Sequence, residues 1–356
     1  MQLRSSLKEN IFVPISGLIY EKMRRGFLGT IAYTNFLWGA GLLLLLAAAS
    51  VNHFIFGRIA IGGESDVLDS LRGYTFLGFS LNDTLQYPFL DHLTQFLLLL
   101  GTGLVLQYMS SEFRLIRVRS FFPFFLFCLL SGTIIPVLPL DGAALSCLLL
   151  TLSCYRLFRS LDPGLESRAV FDASVLLTLA SLFQSRLLWL MPVIWLVMGV
   201  LQVMSLRSFL ASILGLLSVF WIIGGISFLM GDYGFLLAYS KDLINFHLFN
   251  ISGILSSEIS YIVFLAVLMI SAIISFWPKQ HLDKLRTRNY LNSVLMIWFA
   301  LFVLWFFSAN DERYMLPLLS LSTLVIAHFF SLVDSLFSRI LFFALLGLSV
   351  TVYLSF

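Results

Sequence analysis

Between residue 32 and residue 355, long apolar runs are separated by short polar or charged breaks. The runs lie near 32–56, 92–110, 120–137, 142–157, 170–184, 187–205, 208–230, 257–277, 290–308, 316–333 and 340–355. A helix needs roughly 20 mostly apolar residues to cross a hydrocarbon core of about 30 Å. The pattern therefore predicts an all-α, polytopic transmembrane bundle of about eleven spans. Two runs are interrupted. The third holds Pro123 and Pro136, and the fifth passes through "QSRLLWLMP" into Pro192. Both are expected as broken, tilted or re-entrant segments, which lets the count move between ten and twelve. Non-helical backbone at membrane depth is tolerated only where protein or a wet cavity satisfies its polar groups, so a cavity is expected beside these breaks. Residues 1–30 read as a cytoplasmic or interfacial N-terminal segment. Residues 31–356 read as a single transmembrane helical domain with outer loops at 57–91 and 231–256.

Composition agrees and narrows the class. The 356 residues are 59% hydrophobic and 12% charged, with a mean hydropathy of +0.95, far from the usage of soluble domains. The first thirty residues carry Arg4, Lys8, Lys22, Arg24 and Arg25 and lack a long apolar core with a small-residue cleavage site. A cleaved signal peptide is not expected. The net charge of +3 is small, but its distribution is informative. With the N-terminus cytoplasmic, seventeen of the twenty-two lysines and arginines fall in the N-terminal segment and inner loops, leaving Arg58, Arg72, Arg186, Lys241 and Arg313 outside. That asymmetry follows the positive-inside rule and puts the C-terminus outside. The cations serve the lipid bilayer as partner, and no nucleic-acid partner is expected.

Acidic residues lean the other way, eleven of nineteen falling on the outer side. The loop at 57–91, "GRIAIGGESDVLDSLRGYTFLGFSLNDTLQYPFLD", is long for a structureless connection, a length usually tied to function. Glu64, Asp66 and Asp69 in it are candidate catalytic carboxylates, set against the plainer reading of a solvated acidic surface. The alternation in "GDYGFLLAYSKDLINFHLFNIS" (231–252) predicts a helix lying in the interface, or a lid. Lys241 and His247 there are candidate contacts for a lipid phosphate, although a lysine snorkelling to the headgroups reads the same way. Asp172, four residues after Arg168, is expected to pair with it. Gln184 and Arg186 close the fifth span, where polar groups usually face the bundle or water. Trp277, Trp298 and Trp305 are expected at headgroup level, and Gly215, Gly224 and Gly225 at close helix approaches. Cys128, Cys147 and Cys154 sit in apolar runs and read as core fillers. No metal site and no cofactor are expected from the scattered histidines, and no phosphate-cradling GxxxxGK[ST] motif is present.

"SANDERYMLP" (308–317) joins the ninth and tenth runs. Pro317 suits the first turn of a helix, and Asp311 and Glu312 complement the N-terminal end of its dipole. Arg313 presents a planar guanidinium that can hold a lipid phosphate bidentately. The stretch Arg313-Tyr314-Met315-Leu316-Pro317 resembles a feature that opens a late helix in the GT-C superfamily, multi-pass glycosyltransferases that use polyprenyl-phosphate sugars. The resemblance implies an outward-facing enzyme with a polyprenyl-phosphate lipid as ligand, an acidic residue in the first outer loop, filled by Glu64, Asp66 or Asp69, and Arg313 and Tyr314 beside the lipid phosphate. The superfamily's Asp-Glu-aromatic arrangement near the end of the first span is absent. Residues 152–217, with Tyr155-Arg156-x-x-Arg159 at a helix end, Phe171-x-Ala173 in the next span and Arg207 at a helix start, resemble an uncharacterised family of bacterial multi-pass inner-membrane proteins. That likeness implies a bacterial inner membrane and carries no activity.

Three functional classes follow. The first is an outward-facing transferase or polymerase acting on a polyprenyl-phosphate-linked substrate. The second is a non-catalytic subunit or scaffold of an envelope complex for secretion, assembly or motility, with other membrane proteins as partners. Its motive is that nucleophile, base and stabiliser cannot all be named. The third is a secondary transporter built around the proline breaks, which would call for paired interrupted segments in related halves.

Overall fold

The computed structural model describes residues 37, 39–41, 43–44, 88–116, 121–132, 142–231, 234–244, 256–279, 284–308, 314–332 and 336–355. From Pro88 onward they form eleven α-helices: α1 (Pro88–Glu112), α2 (Phe122–Gly132), α3 (Ala143–Phe158), α4 (Glu166–Phe183), α5 (Met191–Val200), α6 (Leu206–Met230), α7 (Gly234–Ile244), α8 (Ser256–Lys279), α9 (Leu285–Phe306), α10 (Met315–Leu332) and α11 (Leu336–Ser355). Each of the ten apolar runs after the first coincides with one of these, and α7 falls within the amphipathic loop. Among the described residues, Leu93–Glu112, Ala143–Leu161, Leu206–Leu229 and Leu285–Phe306 are long and apolar enough to cross a membrane, and shorter apolar helices accompany them. The chain is a helical membrane protein.

The centre is α2. Every residue from Phe122 to Gly132 is buried, as expected of a helix that is apolar all round. Its eleven residues extend only about 16 Å at 1.5 Å per residue, roughly half the hydrocarbon thickness. The Phe124 ring lies between two glycines: a Cβ on Gly41 or on Gly103 would approach it to 2.9 Å. On another side, Phe122, Phe330 and Phe342 join α2 to α10 and α11 at centroid separations of 5.5 to 6.2 Å. Lipid tails are as apolar as leucine, so such shape matching holds membrane helices together where water cannot.

Beside this centre, α4 is gripped from two sides through its own backbone. Ser153 of α3 donates to the Ala173 carbonyl at 2.7 Å, and a Cβ on Gly215 of α6 would stand 2.8 Å from the Phe171 carbonyl oxygen. Gly215 thus permits the expected close approach. At Gly224 and Gly225, among the described residues, nothing lies within 4 Å of where their Cβ atoms would be, so no described helix of this chain approaches there. Half-buried indoles find hydroxyl acceptors across helix pairs, Trp195 to Ser212 at 2.9 Å and Trp298 to Ser322 at 2.7 Å. Trp298, through Ser322, and the buried Trp305 pack between helices. The side chain of Trp277 lies outside the described residues.

Helix ends follow local chemistry. Ser205 caps α6 by accepting from the Ser208 N–H at 3.1 Å, and Gly231 ends that helix at φ 68°. Arg114 (φ 50°) and Gln202 (φ 60°) adopt the left-handed conformation without being glycine. The Leu115 N–H bonds back to the Ser110 carbonyl and the Val203 N–H to that of Met198, the wide bond of a Schellman turn. The Leu115 carbonyl then accepts from Nδ1–H of the buried His328 at 2.7 Å. The ion pair of Asp172 is with Arg156 across to α3, at 3.5 Å, whereas the sequence spacing pointed to Arg168. Pro317 falls in the first turn of α10, as read from the sequence. The three cysteines are buried and free, in keeping with core fillers.

Candidate functional site

The interruption expected near Gln184 is present and is where polar groups enter the apolar bundle. α4 stops as Gln184 turns to φ −136°, ψ 90°, a 3₁₀ helix runs from Ser185 to Leu190, and α5 restarts with Pro192 in its first positions. Proline is tolerated there because the first N–H groups of a helix have no intrahelical partner. Arg186 in this turn has a side chain only 8% exposed. An arginine keeps its charge inside proteins, and so needs a compensating group. The structure supplies Asp242 of α7, whose Oδ1 lies 3.9 Å from the guanidinium. That is beyond hydrogen-bond reach, so the attraction is one of charge alone.

Three further contacts hold α7 over the break. The Ser185 hydroxyl donates to the second oxygen of Asp242. The Ser181 and Tyr239 hydroxyls lie 3.0 Å apart, and the Trp189 indole donates to the Leu243 carbonyl at 3.1 Å. Residues 239, 242 and 243 share one face of α7 by their i, i+3, i+4 spacing. Burial pushes the Tyr239 phenol up to about 12, the Ser181 hydrogen bond opposing and the Asp242 charge adding to the rise. Below the break, Ser174, Thr178 and Ser181 follow one face of α4, all buried. Thr178 and Ser181 donate to carbonyls one turn back, at 2.8 and 2.7 Å. The assembly can hold an anion at a guanidinium, and it carries a carboxylate within reach of a hydroxyl proton.

The residues singled out in the sequence fall unevenly. Lys241 is exposed on α7, beside Asp242 in sequence and off the face that meets the break. Tyr314 opens α10 and is buried in the main apolar cluster. Glu64, Asp66, Asp69, His247 and Arg313 lie outside the described residues. Sequence reasoning noted Arg186 and the helix in 231–252 separately but missed Asp242, Ser185 and Tyr239 as its partners. The available signals were the hydroxyl face of α4 pointing at the break and the Tyr239/Asp242 spacing on α7.

No family model, no curated protein and no solved structure matches this chain.

Proposed function

We propose that this protein is an outward-facing transferase or polymerase that acts on a polyprenyl-phosphate-linked substrate in the inner membrane of a bacterial envelope. The observation that carries it is the α4–α5 break roofed by α7. It is a cluster of polar and charged side chains and non-helical backbone within a largely apolar bundle, the kind of place where membrane proteins put chemistry. In this reading of about eleven spans with the N-terminus inside, the break, the 57–91 loop and Arg313 share the outer side, an orientation the positive-inside bias supports. In this reading a carboxylate from Glu64, Asp66 or Asp69 acts as general base on the acceptor. Arg313, Lys241 and His247 surround the lipid phosphate, the cations neutralising charge on the leaving group, while Tyr314, buried among apolar side chains, stays out of its reach. The likeness of residues 313–317 to polyprenyl-phosphate-dependent glycosyltransferases supports the same substrate class.

Native mass spectrometry of the gently extracted protein tests it. A retained polyprenyl-phosphate mass that is lost in Arg313→Ala is the expected result. Absence of any such lipid, even when it is supplied, defeats the proposal.

One observation favours a second reading, a non-catalytic subunit of an envelope complex. The face of α6 carrying Trp221 (84% exposed) and the open Gly224–Gly225 pair is a smooth apolar surface that a partner helix could approach closely. A stoichiometric protein partner in the same spectrum, released by Gly224→Leu, would favour that reading.

A further inference from the structure

We propose that the cleft between α8 and α9 is a binding site for one anionic phospholipid, which lays an acyl chain in the cleft and sets its phosphate on Arg288. The proposal is independent of the transferase reading and concerns other helices than the α4–α5 break. α8 and α9 both pack on α10, with little direct packing between themselves among the described residues. The slot left between them has a volume of about 300 Å³, at the lower end of the range for ligand sites. Its walls are Ser275 and Phe276 on one side and Leu291 and Leu295 on the other, over a floor of Val325 and Phe329. His328, also on the floor, turns Nδ1–H to the Leu115 carbonyl and meets the Phe276 ring edge-on at 5.8 Å. The slot therefore offers a largely apolar surface, which suits a hydrocarbon chain.

What selects the occupant is the charge at the end of the slot. Arg288 stands three residues before Leu291 and seven before Leu295, the spacing that puts all three on one face of α9. Lys284, which caps α9 and is exposed, is one turn further out. On the facing helix, Lys279 ends α8 in the register of Ser275 and Phe276, four and three residues earlier. Residues 279–288 hold four lysines and arginines against one acid, Asp283, and the positive-inside reading puts them in the cytoplasm. Basic pockets between membrane helices on that side hold anionic headgroups. A tail slot that ends in cations is thus complementary to a negatively charged lipid, whereas a zwitterionic one gains from the slot alone. Arg286 provides the contrast. It falls on the opposite face of α9, one turn before the buried Tyr290, which reaches across to the Phe158 carbonyl of α3 at 3.4 Å.

The test is native mass spectrometry of the whole purified protein, titrated with phosphatidylglycerol and, separately, with phosphatidylcholine of the same acyl chains. Expected is one phosphatidylglycerol bound at least tenfold more tightly than phosphatidylcholine. Arg288→Gln should weaken phosphatidylglycerol by about fivefold, the factor for roughly 1 kcal/mol per cation at a membrane surface, and leave phosphatidylcholine unchanged. Arg288→Lys should recover most of the loss, and Arg286→Gln should have no effect. Ser275→Phe, which fills the slot from one wall, should weaken both lipids. Equal binding of the two lipids by the wild type, or an equal response to Arg288→Gln and Arg286→Gln, overturns the site and leaves ordinary solvation by the bilayer. Loss with Arg288→Gln but none with Ser275→Phe overturns the placement of the chain in the slot. Displacement of phosphatidylglycerol by an equal amount of undecaprenyl phosphate, or a second copy of the chain released by Ser275→Phe, gives the slot another occupant and overturns the proposal.

Discussion

The α2 centre and the α4–α5 break face the same problem of burying helix in a medium without water, and resolve it oppositely. α2 is apolar on every side and fitted by shape, with Phe124 between Gly41 and Gly103. The break accepts a charged side chain and non-helical backbone, then recruits α7 to satisfy them. The first arrangement has one well-packed solution and nothing for a polar ligand to bind. In the second, every polar contact has an alternative partner in water or in an anion, which makes it suitable for a site.

The largest expected effect breaks the first half of that contrast. Phe124→Ala should cost about 3–5 kcal/mol, the usual loss for emptying a phenylalanine site that cannot collapse, measured as unfolding in mild detergent. Gly103→Ala should also destabilise, because the added methyl meets the ring at 2.9 Å. Next comes the pair of α6 glycines. Gly215→Ala is expected to lose about 1–3 kcal/mol as helix α4 is pushed away, whereas Gly224→Ala, with open space around it, should be neutral or slightly stabilising because alanine favours helix. Equal effects at the two positions would show that α4 and α6 are not in backbone contact. At the break, Arg186→Ala should cost about 2 kcal/mol, less than a fully buried pair because Asp242 is partly exposed. Adding Asp242→Asn to it should restore part of the loss in a double-mutant cycle.

The smallest effect is confined to alkaline pH. A tyrosine whose folded pKa is raised is held neutral by the fold, so its contribution is complete below the unfolded value near 10 and is lost as pH rises from there through about 12. The melting temperature of the wild type should therefore fall more steeply above pH 10 than that of Tyr239→Phe. Parallel slopes would place Tyr239 in water.

Much of this was legible from the chain because the rules involved are local. Apolar runs set the helices, Pro192 with Gln184 and Arg186 marked the break, and the amphipathic alternation after Gly231 marked α7. What could not be read was which faces meet. Asp172 has a tempting local partner in Arg168 but pairs across helices with Arg156. Arg186 and Asp242 are 56 positions apart, and only the docking of α7 brings them together. The three α6 glycines look alike in sequence, yet helix rotation puts Gly215 against α4 and leaves the other two open. Trp298 and Trp305 look alike in sequence, yet one is partly buried with its indole on Ser322 and the other is buried.

The most direct measurement of the contrast is amide hydrogen exchange in nanodiscs with and without undecaprenyl phosphate, which reads local opening segment by segment. The account predicts that the lipid changes exchange at residues 184–190 and 234–244 while 122–132 stays protected and unchanged. Exchange that is identical with and without lipid across the break, or a change that falls on α2 instead, would contradict it.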